Sequence, residues 1–233
     1  MKKINYIFAF LCLGFISEFD AQTQQALLNR TKHWCFSHKA GLDFNMASGV
    51  QKVFNRSNGV VFEGNSCISD TLSNLLFYCN GDTIWNRNHQ MMLNGAGMKS
   101  DKITALNSCI IPRPLNANQY FVFVNECVNN NCSGGKLYYS LVDITLDGGN
   151  GAVVAGQKNI VVMLQAYNSG LAFTKHANGL DYWMSYFEPI SPYNFCMIKI
   201  INVGPDTTNR VVSSYSWGGG DESLFARSYK ICF

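Results

Sequence analysis

The chain has 233 residues and a formal net charge of +3, and 47% of it is hydrophobic but only 14% charged, against about 25% charged in an average domain. So small a net charge, carried by scattered Lys and Arg, gives no basic stripe for nucleic acid, and no heptads, long amphipathic helices or low-complexity tracts are present. Instead 20 glycines and 25 asparagines punctuate short apolar runs, the pattern of an all-β chain with many tight turns.

In chain order, the first segment reads as an export signal. Lys2 and Lys3 precede an apolar run at 7–16 that is too short to span a bilayer. Ala21 offers a small residue for cleavage, with Phe19 a departure from the usual A-x-A pattern. Residues 1–21 are therefore expected to be removed. The mature chain, 22–233, is expected in the periplasm, on the cell surface or in the medium, with no membrane span. Cys12 lies in the signal, so eight of the nine cysteines remain, and export places them where disulfides persist. A polar lead at 22–32 is followed by two short strands, HWCF at 33–36 and GLDF at 41–44.

The stretch 67–85, CISDTLSNLLFYCNGDTIW, predicts three strands in succession. DTLSN is a turn, because Asp, Ser and Asn side chains bond nearby backbone groups. Asn80-Gly81 predicts a second, tighter turn with two positive-φ residues. The loop NGAG at 94–97 comes next. The pattern recurs at Cys109-Ile110-Ile111, the turn PRPLNAN and the apolar run 119–124, and again at Ala172-Phe173-Thr174, the turn KHANG and the run 181–187. Taking Cys67, Cys109 and Ala172 as equivalent, the spacings are 42 and 63 residues. A blade of four antiparallel strands takes about 40–50 residues. Extra strands at 136–144 and 158–164 account for the longer interval. The expected fold is an all-β propeller of WD-repeat or kelch-like type, incomplete, with three to five blades and a truncated C-terminal end. A generic antiparallel sandwich is the plainer alternative. Within that scheme Cys67 and Cys109 lie unbridged on neighbouring innermost strands. Cys127 and Cys132 flank VNNN at a hairpin tip and are predicted to be bonded, since facing residues of an antiparallel pair fall within disulfide reach.

The segments WCFSHKAGLDFN at 34–45, EGNSCISD, NLLFYCNGDTIWNRNHQMMLNGAG and KHANGLDYW occur in an order that resembles the N-terminal propeller region of large secreted proteins of the Bacteroidetes. Those proteins often carry PKD domains and a C-terminal type IX sorting domain. The resemblance covers roughly residues 34–200. It implies a propeller architecture and a secreted or cell-surface setting rather than a chemistry. The chain departs from that family at Cys79, where Thr is more usual, in its higher cysteine content, and in ending at Phe233 without the further domains.

Candidate chemistry is sparse. Neither G-x-S-x-G nor H-E-x-x-H occurs. Among His33, His38, His89 and His176, the last is the most suggestive, beside Lys175 in a turn after an apolar strand. Lys175 and His176, together with Arg87 and His89, are the expected ligand-binding residues, because loops at strand ends carry function. The plainer role for His176 is to bond the turn backbone. A glycosidase would need two carboxylates about 5–10 Å apart, drawn from Asp70, Asp82, Asp143, Asp181 and Glu188. Asp143, Asp147 and Asn150 put oxygen ligands for calcium on a bendable loop, but their spacing matches neither an EF-hand nor a nonapeptide repeat. No metal or cofactor is expected. The expected function is a non-catalytic binding or structural module for a protein or glycan. Self-association or a partner chain would complete the arc, and a carbohydrate-active enzyme is the alternative.

Overall fold

The structure, a computed structural model, describes residues 25–36, 40–45, 52–53, 65–100, 108–126, 135–166, 170–188 and 193–215. The expected export signal at 1–21, His38, the expected Cys127–Cys132 pair and the chain beyond 215 lie outside the described residues.

The all-β class is observed. After a helical turn at 25–29, a small antiparallel sheet holds β1 (His33–Cys35), β2 (Gly41–Asp43) and β3 (Lys52–Val53). Three antiparallel meanders follow. The first is β4 (Ser66–Ser69), β5 (Leu75–Cys79), β6 (Thr83–Asn86) and β7 (Met91–Ala96). The second is β8 (Ser108–Pro112), β9 (Gln119–Asn125), β10 (Gly135–Asp143) and, after the short β11 (Ala152–Val153), β12 (Ile160–Ala166). The third is β13 (Ala172–Lys175), β14 (Tyr182–Glu188), β15 (Tyr193–Ile201) and β16 (Gly204–Tyr215). β11 pairs antiparallel with β10 and parallel with β7, which joins the first two meanders at their far side into one nine-stranded sheet. The two ends of that sheet, β4 and β8, come back beside each other, with Ser66 Oγ 2.8 Å from Ser108 Oγ. The sheet therefore nearly closes around its core.

The period-two alternation of a strand puts β9 at the centre of the molecule. Tyr120, Val122 and Val124 point to one face, packed with Phe77, Ile84 and Met92 of the first meander. Phe121 and Phe123 point to the other, packed with Met184, Tyr186 and Ile198 of the third. A strand buried on both faces reads as an unbroken apolar run, as YFVFV does. The insertion of residues 144–159 between β10 and β12, which holds β11 and a one-turn 3-10 helix at Asp147–Gly149, supplies much of the longer spacing before the third meander.

Two local expectations are corrected. In the turn after β5 only Gly81 has positive φ, at 90°. Asn80 acts through its side chain instead, its Oδ1 accepting the backbone N–H of Asp82 (3.0 Å) and Thr83 (2.8 Å). The stretch NGAG is no loop at its start. Asn94, Gly95 and Ala96 complete β7, the fourth strand of the first meander. Asn94 at φ 59° and the register shift opposite Thr83 and Trp85 make this strand irregular, which hides it from pattern reading.

Candidate functional site: a groove along the first strands

The first strands β4, β8 and β13 each end their sheet, with one strand neighbour. Together with β1 and the residues around the helical turn they line an open cavity of about 1150 Å³. Its wall is mainly apolar. Trp34 (51% exposed), Phe36 (42%) and Phe173 (38%) are exposed rings in its lining. Trp34 is oriented by Phe44, at 5.2 Å between ring centroids, and by its own indole N–H, which donates to the Thr31 carbonyl at 3.1 Å.

Three polar groups border this apolar wall. Arg30 donates to the Tyr120 hydroxyl at 3.1 Å, with its guanidinium 6.0 Å from that ring. Lys175 places its ammonium 5.7 Å from the centre of the Tyr182 ring. Burial pushes the Tyr182 hydroxyl up from its ordinary value against the opposing charge of Arg30. His33 has Nδ1 2.9 Å from Ser69 Oγ and Nε2 3.6 Å from the Asp43 carboxylate. A cationic rim on an apolar trough can hold a ligand with an apolar or ring-faced body and polar or anionic edges.

Of the predicted binding residues, Lys175 lines the groove. His176 holds its turn: Nδ1 accepts the Asn178 N–H at 3.0 Å, its own backbone N–H donates to the Asp181 carbonyl at 2.9 Å, and its ring lies 5.3 Å from that of Trp183. Arg87 and His89 sit together on the β6–β7 turn. Arg87 is exposed, and His89 Nδ1 is 3.3 Å from the Tyr78 hydroxyl. The two pairs belong to the first and third meanders, with the second between them.

The carboxylates named for catalysis are engaged in structure. Burial alone would raise Asp70, but the Asn74 side chain and backbone, the Leu72 N–H and the Arg87 charge outweigh it and hold the carboxyl below its usual range. Asp143 is likewise lowered against its burial, by Thr145 and Gln119. Glu188 is lowered against its burial by Asn194 and by its ion pair with Arg210. Asp82 accepts the Thr83 hydroxyl, and Asp181 accepts from Asn178 and lies 3.9 Å from Lys199. A general acid needs a raised pKa, and Asp70, Asp143 and Glu188 are all shifted the other way. The calcium candidates are similarly employed: Asp143 holds its turn, Asn150 Oδ1 accepts from Asn88 at 2.9 Å, and Asp147 opens the 3-10 turn. Among the described residues no three His, Cys, Asp or Glu side chains converge as a metal site would require.

Pattern reading overlooked Arg30, Cys35 and Phe173. The signal lay in the equivalence of Cys67, Cys109 and Ala172: equivalent first strands converge on a common groove, and whatever flanks them lines the space between. No family model, curated protein or solved structure matches the chain. No described helix is long and apolar enough to cross a membrane.

Proposed function

We propose that this chain is an exported, non-catalytic binding module of the β-propeller type, its three meanders serving as blades and the groove along their first strands as the ligand site. The observation that carries the reading is the convergence of β4, β8 and β13 on one open groove flanked by exposed Trp34, Phe36 and Phe173. Four-stranded meanders whose first strands face a common axis are the plan of a propeller. The resemblance of the motif order to the Bacteroidetes secreted proteins supports the reading of both the plan and the extracellular setting. Turn-bound, lowered carboxylates favour binding over hydrolysis. The ligand is a glycan or protein segment that presents a flat or apolar surface to the aromatic rings and an acidic or hydroxyl edge to Arg30 and Lys175.

The test combines affinity electrophoresis of the purified chain against soluble polysaccharides and unstructured peptides with an assay for new reducing ends. Retardation by at least one probe is expected, lost in Trp34→Ala and Phe173→Ala, without polysaccharide cleavage. New reducing ends that vanish in Asp70→Asn or Glu188→Gln would instead establish a carbohydrate-active enzyme.

A further inference from the structure

Among the eight cysteines outside the predicted export signal, five are described, and all five are free thiols. Cys79 is buried in the first core, and Cys109 and Cys196 in the second. Cys35 and Cys67 differ from these because they meet each other across two sheets. β1 lies against β4, and three contacts set how. The Ser69 N–H donates to the Arg30 carbonyl at 3.0 Å, His33 Nδ1 lies 2.9 Å from Ser69 Oγ, and the Cys67 thiol donates to the His33 carbonyl at 2.8 Å. One strand thus ascends from 30 to 35 while the other descends from 69 to 67, so Cys35 arrives beside Cys67. The Cys35 thiol and backbone N–H thus face the Cys67 sulfur and favour its ionised form.

We propose that Cys35 and Cys67 are a redox pair that closes to a disulfide, fastening the small N-terminal sheet to the first meander at the wall of the groove. The neighbouring Cys35 favours ionisation of Cys67, and Cys67 together with burial raises Cys35. Cys67 is therefore the attacking sulfur. Both cysteines line the open groove, Cys67 half-buried and Cys35 only 4% exposed, so Cys67 is the more accessible. The co-reactant is a small disulfide, which an exported chain meets in an oxidising compartment. The Cys67 thiolate attacks one sulfur of that disulfide, forming a mixed disulfide and expelling one thiolate. Cys35 then gives up its proton and attacks the Cys67 sulfur, forming the Cys35–Cys67 bond and expelling the second thiolate. Two protein thiols are oxidised, the small disulfide is reduced to two thiols, and the two protons end on those leaving groups. This chemistry is independent of what the groove binds.

The test uses the full chain, purified reduced, exposed to oxidised glutathione, quenched with acid, alkylated and digested without reduction. The expected product is a pair of peptides containing Cys35 and Cys67, joined and lighter by two hydrogens than the reduced pair. It should be absent from Cys35→Ser and Cys67→Ser. The oxidised wild type should unfold several degrees above the reduced one, a difference missing from the Ser variants. Alkylation of both cysteines after oxidation, glutathione left on both, or a link from either one to another cysteine would overturn the proposal. The wild-type map decides even where a Ser variant fails to fold.

Discussion

Asparagine and aspartate set the turns of this molecule one residue at a time. Asp43, Asp70, Asn80, Asn86, Asn116, Asp143, Asn178 and Asp206 each accept the backbone N–H two residues ahead. The side chain thereby imitates a backbone turn and relieves a strand end of an unpaired donor. Asp70 also accepts from the Asn74 backbone and side chain. Asp70→Ala is expected to lower stability by roughly 1–2 kcal/mol in urea denaturation. Asp70→Asn, which keeps an acceptor, should cost less. Because the folded-state pKa of Asp70 is depressed, its charge-dependent stabilisation is fully present above the unfolded value near about pH 4 and is lost as pH falls through the folded value. Acid titration of the thermal midpoint should show a smaller drop in Asp70→Asn than in the wild type. Gly135 is required for a different reason. A Cβ there would collide with the Glu126 carbonyl just past the end of β9, next to the bond from the Glu126 N–H to the Lys136 carbonyl at 2.8 Å. Gly135→Ala should cost about 1–3 kcal/mol by the same denaturation assay.

At the scale of elements, stability concentrates in the strands that serve two cores. Phe123 is wholly buried in β9 between the second and third meanders, so Phe123→Ala should cost about 3–5 kcal/mol. Leu164→Ala, at a 71% exposed position of β12, should fall within about 0.5 kcal/mol of wild type. Equilibrium urea unfolding of both separates the two predictions. The sites of β5, β8 and β9 were legible in the sequence because a doubly buried strand is an apolar run, and those of β4, β6 and β14 because Asp/Asn clusters mark their ends. β7 was not, because Asn94-Gly95 mimics a turn while its ladder to β6 is irregular. Nor was the Cys35–Cys67 contact, which joins residues of two sheets and leaves no local pattern. Once oxidised, that pair closes a loop of some 30 residues. Such a closure is worth roughly 3–4 kcal/mol through the unfolded chain, so urea midpoints measured with and without reductant should differ accordingly.

For the whole molecule, the arrangement has a consequence that no single sheet carries. Three meanders pack around two cores, both faces of β9 in the middle one are buried, and their first strands line a common apolar groove. An exposed apolar trough of this kind invites a ligand or another chain. The repeat pattern is weak in the sequence because insertions such as 144–159 stretch the interval between meanders, and so the groove could be inferred only from the equivalence of the first strands. The most direct measurement is residue-resolved amide hydrogen exchange on the full chain without ligand. Amides of β9 and β14, paired on both sides, should be the slowest. Groove-facing amides of β4, β8 and β13 should exchange orders of magnitude faster, except that of Ser69, which is bonded to the Arg30 carbonyl. Equal protection of those edges and of β9 would mean that another strand already fills the groove, and would contradict an open ligand site there.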